Sequence, residues 1–238
     1  MPGTFSPAFF IFRGTTREPG IFVDESGSDG LSDRHHLLTV VMHDQSEGIV
    51  DSIESYESAL RAKGLPDIPF HASPLMNSKD MYSGLDLGTR RVLLGSFRVF
   101  FRHTPVRHRA FACATKQFAS LERLAGTMRR DLVNFPFGNL AELQGHDAVK
   151  VCCDNGRRPI AESLHLAVEH ASSRDTVVYR SAQPSEYRRS QVADYICAME
   201  LTAIKFAEHA TTSTDEKLFG KWSDFKKGIL KETRKKLV

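Results

Sequence analysis

The chain has 238 residues, of which 41% are hydrophobic and 26% are charged, a composition typical of a globular domain. No apolar run approaches the roughly 20 residues that a helix needs to cross a bilayer. The four cysteines form no CxxC pair, a pattern that indicates buried thiols in a reducing cytoplasm rather than disulfides or zinc ligands.

The net charge of +3 conceals an asymmetry along the chain. Residues 1–75 hold 5 Lys or Arg against 11 Asp or Glu, whereas the remainder holds 27 against 18. An acidic first third beside a basic remainder is consistent with a metal site next to a surface that binds a polyanion. Chance solvation of helix faces gives the same distribution, so both alternatives stay open.

The first regular element follows an N-terminal arm, residues 1–19, which is rich in proline and glycine and has no steady period. Residues 20–25 form a predicted strand that runs from apolar residues directly into Asp24 and Glu25. Carboxylates at the end of a buried strand are costly unless they are paired, and a divalent metal is one such partner. The alternative is that both acids only begin a polar turn.

A second apolar strand is predicted over 35–42, and the short link between the strands predicts an antiparallel hairpin. His35 and His36 are adjacent on this strand and point to opposite faces, so they do not suit one metal ion. A helix over 49–63 follows, and then a loop that carries His71. A lone loop histidine is more often structural than catalytic, and residues 76–87 are predicted to be polar loop.

A helix is predicted from Thr89 to about residue 102, followed by a strand over 109–115 that ends at Lys116. Basic side chains cluster around the end of this helix, namely Arg98, Arg102, Arg107 and Arg109. The cluster is explained by the helix dipole or by a phosphate-binding edge. The next helix is predicted over 118–133, and Pro136 and Gly138 are expected to end it.

A further apolar strand over 148–153 is followed at once by Asp154, as the first strand is followed by acids. The Asn-Gly pair after this aspartate also fits a simple turn. A helix over 159–171 and a strand over 176–179 complete a βαβ unit, so these two strands should be parallel.

The longest predicted helix opens at Gln191 and runs to about residue 209. Asp194 lies at the edge of its buried stripe, on the same face as Gln191. Service to the helix N-terminus would also explain this acid. Glu200 is six residues further on, nearly on the opposite side, and is excluded as its partner. The tail from residue 222 is amphipathic and basic, which is typical of a docked helix and less often of nucleic-acid contact.

Three aspartates thus share one context, because Asp24 and Asp154 follow strands and Asp194 begins a long helix. In a sheet flanked by helices, residues at the carboxyl ends of strands converge on a crevice. Hard divalent cations need several carboxylate oxygens and would promote phosphodiester cleavage. The constellation therefore predicts a metal-dependent nuclease.

The sequence at Asp24, around His71, after the strand at Asp154, and from Gln191 to Asp194 resembles the bacterial domain of unknown function family 3800, which is similar to the ribonuclease H-like superfamily. The resemblance covers roughly residues 20–220. It implies a ribonuclease H-like fold in which Asp24, Asp154 and Asp194 match the acids of the superfamily. The usual glutamate on the first helix has no clear match. Glu25 is the first substitute, and Glu54 and Glu57 are weaker ones.

These inferences together predict a ribonuclease H-like α/β fold with a mixed five-stranded sheet, flanking helices and helical insertions. The domain is expected over 20–220, with a basic amphipathic C-terminal helix over 221–238. Mg²⁺ or Mn²⁺ is the expected cofactor, held by Asp24, Glu25, Asp154 and Asp194, and nucleic acid, RNA or DNA, is the expected partner. His71 or Lys116 would contact phosphate, and Gln191 would orient a ligand. The alternatives are a non-catalytic module that binds nucleic acid, and an interaction protein that binds a protein partner or a second copy.

Overall fold

The computed structural model describes residues 19–27, 31–44, 46–139, 149–153, 166–168, 176–179 and 188–238. Three of the sequence predictions therefore lie partly or wholly outside the described residues: the N-terminal arm, Asp154, and most of the helix expected over 159–171. The described cysteine side chains are buried free thiols, as the sequence predicted, at Cys113, Cys152 and Cys197.

The strands form one mixed sheet in the order β3-β2-β1-β4-β5. Their bounds are β1 Pro19–Ser26, β2 His35–Asp44, β3 Arg107–Ala114, β4 Val149–Cys153 and β5 Thr176–Tyr179. Both β1 and β3 are antiparallel to β2, whereas β4 is parallel to β1 and to β5. The predicted hairpin, the parallel pairing of β4 with β5 and the mixed α/β sheet with helices are confirmed.

The helices lie on both faces of this sheet and are α1 Val50–Ala62, α2 Ala72–Asn77, α3 Leu87–His103, α4 Leu121–Gly138, α5 Arg188–Ala207 and α6 Ser213–Phe219. A C-terminal helix, α7, combines α-helical Trp222–Phe225, a π-helical turn Lys226–Leu230 and α-helical Lys231–Arg234. No described helix combines the length and the apolar character needed to cross a membrane.

Two hydrophobic cores separate the faces of the sheet. Phe22 of β1 packs in the core formed with α1, α2, α3, α5, α6 and α7. Its neighbours Ile21 and Val23 pack in the other core, which is formed mainly with α4. Side chains alternate along a strand, so this division places Asp24 on the α5 side and Glu25 on the α4 side where β1 ends.

The structure corrects two helix boundaries. Residues 76–87 are not all loop, because α2 runs to Asn77 and a 3₁₀ turn spans Asp80–Tyr82. The N-cap of α3 is Asp86 rather than Thr89, since the Asp86 carboxylate accepts hydrogen bonds from the Thr89 N–H at 3.0 Å and from the Thr89 hydroxyl at 2.6 Å.

Helix α4 begins at Leu121, three residues after the predicted start, and continues through Pro136 to Gly138, five residues beyond the predicted end. Proline removes one backbone donor and its ring crowds the carbonyl four residues earlier, and α4 ends two residues after Pro136. The Asn139 side-chain amide donates to the Phe135 carbonyl at 2.8 Å, which satisfies one of the exposed acceptors at this end.

The C-terminal tail docks as the sequence predicted and adds to the sheet edge. The Lys236 carbonyl accepts from the His108 N–H of β3 at 2.9 Å, and the Val238 N–H donates to the His108 carbonyl at 3.1 Å. Arg98 donates two hydrogen bonds to Glu232 of α7, at 2.7 and 2.8 Å. Arg109 donates to the Val238 carbonyl. Two arginines of the predicted phosphate-binding edge therefore hold the tail in place.

Replacement of Gly27 by alanine is expected to destabilise the protein by about 2–4 kcal/mol. Gly27 has a φ of 128°, and a Cβ at this position would overlap the ring of His36. Denaturant unfolding of Gly27→Ala measures the loss. Gly48→Ala is the matched control, since a Cβ there meets nothing within 4 Å, and equal stabilities of the two variants would contradict the expectation.

Acidification is expected to weaken docking of the tail through His108. Burial lowers the pKa of His108, while its Nε2–H donates to the Thr233 carbonyl at 2.9 Å and the ring also faces Glu200, Arg234 and Lys236. A histidine whose folded pKa lies below its unfolded value binds fewer protons when folded, so stability falls as pH drops below about 6.5.

The check is the free energy of unfolding of wild type and His108→Gln between pH 7.5 and pH 5.5. Glutamine keeps a side-chain N–H but does not titrate. We expect wild type to lose stability relative to the variant as pH falls, and parallel curves would contradict this role of His108.

Candidate carboxylate pocket

The predicted acids of β1 and α5 border one small cavity of about 110 Å³. Asp24 pairs with Thr39 of β2 and Glu25 pairs with Leu38. These pairs lie just before β1 ends at Ser26. Asp194 borders the same cavity from α5, and His71 borders it from the loop before α2. The structure thus brings together residues that are separated by up to 170 positions in the sequence.

Asp194 is fixed by two contacts of one oxygen. Its Oδ2 accepts a hydrogen bond from the Ala72 N–H at 2.7 Å and one from His71 Nδ1 at 3.0 Å. Because Ala72 is the first residue of α2, the carboxylate satisfies a backbone donor at a helix N-terminus. The Asp194 side chain is 17% exposed and the His71 side chain is 60% exposed. The sequence offered service to the N-terminus of its own helix as an alternative explanation of Asp194, but α5 begins six residues earlier, at Arg188, and the helix that Asp194 caps is α2.

Two hydrogen bonds to the Tyr82 hydroxyl hold the loop that carries His71. The Tyr82 hydroxyl donates to the Pro69 carbonyl at 2.9 Å and accepts from the His71 N–H at 3.1 Å. Burial raises the pKa of Tyr82 to about 12. The phenol therefore stays protonated at neutral pH and keeps both hydrogen bonds. Sequence reasoning missed Tyr82 because it assigned this residue to a polar loop.

The buried thiol of Cys197 borders the same cavity as the carboxylates. Cys197 lies one helical turn after Asp194. Burial raises its pKa well above the usual value, and the negative charges of Asp24, Asp194 and Glu25 act in the same direction. The spacing of Cys197 to Asp194 was the available sequence signal.

Ion pairs anchor the start of α5, the helix that carries Asp194. Arg188 donates to Glu57 of α1 at 2.9 Å and to Asp67 at 3.0 Å. It also donates to the side-chain oxygen of Gln191, which is fully buried. Gln191 is therefore placed in the anchor of α5 and not on the lining of the carboxylate pocket. Glu57, one of the weaker substitutes for the missing glutamate, serves the same anchor.

Two more residues lie away from the carboxylate pocket. Lys116 sits in a 3₁₀ turn after β3 and borders a different cavity. Glu200, which the sequence excluded as a partner of Asp194, instead accepts two hydrogen bonds from Arg234, at 3.0 and 2.7 Å. Glu54 is exposed on α1.

The donor chemistry of the pocket suits a hard divalent cation, because its acidic side chains supply oxygen ligands. Both contacts of Asp194 use Oδ2, and within the part of the chain that the structure describes Oδ1 accepts no hydrogen bond. The described residues contain no group of three or more His, Cys, Asp or Glu side chains arranged to hold an ion. The donor set fits in kind, and Asp154, outside the described residues, is the further ligand that the sequence predicts.

Comparison with known proteins does not assign the chain to a family. No family model matches the chain. No curated protein matches it either. Among solved structures, it is similar to a chain in the structure of the PCNA:RNase HII complex from Archaeoglobus fulgidus, at 18% sequence identity and a TM-score of 0.41. The match covers 90% of this chain and 87% of that chain. At this level the likeness carries no argument, and the family resemblance drawn from the motifs stays a prediction.

Proposed function

We propose that the protein is a metal-dependent nuclease that hydrolyses phosphodiester bonds in nucleic acid at the carboxylate pocket. The observation that carries the proposal is that Asp24 of β1 and Asp194 of α5, which are 170 residues apart in the chain, border one cavity. Carboxylates that border one cavity repel each other, and a divalent cation bound between them would offset that repulsion.

Asp24, Asp194 and Asp154 would hold Mg²⁺ or Mn²⁺, and Glu25 would be a fourth ligand. Such ions activate water and stabilise the leaving oxygen of a phosphodiester. The chain's own part is to hold these carboxylates in place through α2, the Tyr82 hydrogen bonds and the Arg188 anchor. His71, largely exposed and oriented by Asp194, would contact a phosphate oxygen.

The sheet supports the ribonuclease H-like part of the proposal. An antiparallel set of three strands continues into two parallel strands, with helices on both faces. A mixed sheet with helices on both faces agrees with the α/β class of a ribonuclease H-like domain, which the proposal places over 20–220. In that arrangement Asp24 lies at the carboxyl end of the central strand, where functional side chains of α/β sheets gather.

The proposal is tested by incubating the purified chain with end-labelled RNA, DNA and RNA–DNA hybrid in Mn²⁺ or Mg²⁺. We expect cleavage of at least one substrate, and EDTA should abolish it. Glu122→Gln is the matched control, because Glu122 is an exposed acid on α4, on the other face of the sheet, and its loss should leave the rate unchanged. No cleavage of any substrate in either metal would contradict the proposal.

The second candidate is a module on the same fold that binds nucleic acid or protein without catalysis. The observation that favours it is the structural service of Asp194, which already caps α2 and orients His71. This candidate predicts nucleic-acid binding that weakens with salt and persists in EDTA, with no cleavage. A third reading, an interaction protein with a protein partner or second copy, predicts binding of neither metal nor nucleic acid.

A further inference from the structure

A second and larger cavity, of about 850 Å³, lies at the edge of the sheet where β2 begins. It is bordered by Arg34 and His35 at the start of β2, by Lys116 after β3, and by Glu208 after α5. Cavities of roughly 300–1,000 Å³ are the usual size of sites for small organic ligands and cofactors. The carboxylate pocket, at about 110 Å³, is too small to enclose a nucleotide, whereas this cavity is large enough.

The two cavities lie at successive points along α5 and the turn that follows it. Lys205 borders the carboxylate pocket, and Glu208, three residues further along α5 and the turn after it, borders the larger cavity. Residues three apart on a helix are about 5–6 Å from each other. On the sheet, Ser26 borders the carboxylate pocket and pairs with Leu37, two residues from His35. The 14 residues from Asp194 to Glu208, along α5 and the turn after it, span about 21 Å at about 1.5 Å per residue, so a ligand in the larger cavity would lie several nucleotides away from the carboxylates along an extended strand.

The charges of the larger cavity are mixed, which restricts its ligand. Arg34 and Lys116 are exposed cations, and Asp33 adds a carboxylate. His35 Nε2 contacts a Glu208 carboxylate oxygen at 3.1 Å, so this acid is already engaged. A purely polyanionic ligand would find a uniformly basic surface more favourable. A nucleotide instead combines an anionic phosphate with a neutral base that carries both hydrogen-bond donors and acceptors.

An aromatic ring on the wall offers a place for a base. Phe118 borders the cavity, is half-buried, and packs against the core on the α4 face. Its N–H donates to the Thr115 carbonyl at 3.0 Å, which closes the 3₁₀ turn Thr115–Gln117 and fixes the backbone of Phe118 next to that of Lys116. Stacking of a base on an aromatic side chain is favourable for every base, because each has a π-face.

We propose that this larger cavity is a nucleotide subsite for the substrate strand. It would hold a nucleotide of the strand at a distance from the scissile bond, with its base on Phe118 and its phosphate on Arg34 and Lys116. The proposal rests on the proposed function for the identity of the ligand as part of a nucleic-acid strand. It goes beyond that function by naming the residues that bind the strand and by placing them outside the carboxylate pocket.

The test is a titration of the whole chain, in EDTA, with AMP, CMP, GMP and UMP, and separately with inorganic phosphate, followed by calorimetry. We expect the mononucleotides to bind at least 10-fold more tightly than phosphate. Phe118→Leu, which keeps the packing but removes the aromatic face, and Lys116→Ala should each weaken mononucleotide binding on the order of 10-fold. Lys227→Ala, an exposed lysine of α7 outside the cavity, is the control and should bind as wild type does.

Equal affinities for phosphate and mononucleotides, no binding of mononucleotides, or wild-type affinity in both Phe118→Leu and Lys116→Ala would each overturn the subsite. The titration contains no metal and involves no cleavage, so its outcome is separate from that of the nuclease assay. Nucleotide binding with the expected losses in a protein that cuts nothing would support the subsite and count against the nuclease. Cleavage without nucleotide binding in this cavity would do the reverse.

Discussion

Asp24→Asn is expected to reduce Mn²⁺-dependent cleavage on the order of 100-fold or more while leaving the fold intact. The asparagine side chain has nearly the same shape but lacks the charge that a metal ligand contributes. Asp24 is on the face of β1 that meets α5, so in this account no other side chain of the strand replaces it. The measurement is the initial rate of cleavage at saturating Mn²⁺ for wild type and variant.

The control for Asp24→Asn is the midpoint of thermal unfolding, which should stay within a few degrees of wild type because a single polar replacement at a half-exposed position costs little. An unchanged midpoint together with lost cleavage assigns Asp24 to the chemistry. Cleavage that survives the substitution would remove Asp24 from the mechanism. It would favour the alternative in which Asp24 only begins a polar turn.

Asp194 is expected to separate its two duties in a pair of variants. Asp194→Asn keeps an oxygen that can accept from the Ala72 N–H, so the free energy of unfolding should change by less than about 1 kcal/mol. The charge is lost, so Mn²⁺ affinity should fall about 10-fold or more and cleavage should fall with it. Asp194→Ala removes both duties and should in addition destabilise the protein by about 1–2 kcal/mol. Denaturant unfolding, calorimetric Mn²⁺ titration and the cleavage rate measure the three effects.

His71→Ala is the matched control for the Asp194 variants. It removes one of the two partners of Asp194 Oδ2 but leaves the hydrogen bond from Ala72 and the carboxylate itself. Mn²⁺ affinity should stay within about 3-fold of wild type, since His71 is not among the proposed ligands. If Asp194→Asn binds Mn²⁺ and cleaves as wild type does, then Asp194 is only a helix cap and has no part in metal binding.

The sheet was predictable from the sequence because its central strands are unbroken apolar runs. The residues Ile21, Phe22 and Val23 are nearly inaccessible, and such runs have few other stable places in a fold. The same runs end in acids, so the expected meeting of Asp24 with Asp194 followed from strand direction and helix position alone. The short, right-handed connections between neighbouring elements limit which strand ends can lie beside which helix.

Helix α2 was not predictable from local sequence. It has six residues, includes Pro74, and its first N–H is satisfied by Asp194, which is 122 residues away. No sequence window contains that partner. The sequence placed Lys116 beside the predicted acids, whereas it borders a different cavity. That cavity includes residues from the end of α5, so its position could not be predicted from the end of β3 alone. The arginine cluster was ambiguous, and its true partners, Glu232 and Val238, lie in the tail.

The central claim is that the carboxylates of Asp24 and Asp194 bind a divalent cation together. Anomalous diffraction from crystals soaked in MnCl₂ tests it most directly. The account predicts a manganese peak in the carboxylate pocket with oxygens of both side chains within about 2.5 Å of the ion. Manganese bound only elsewhere, or the two carboxylates more than about 10 Å apart in the soaked crystal, would contradict it.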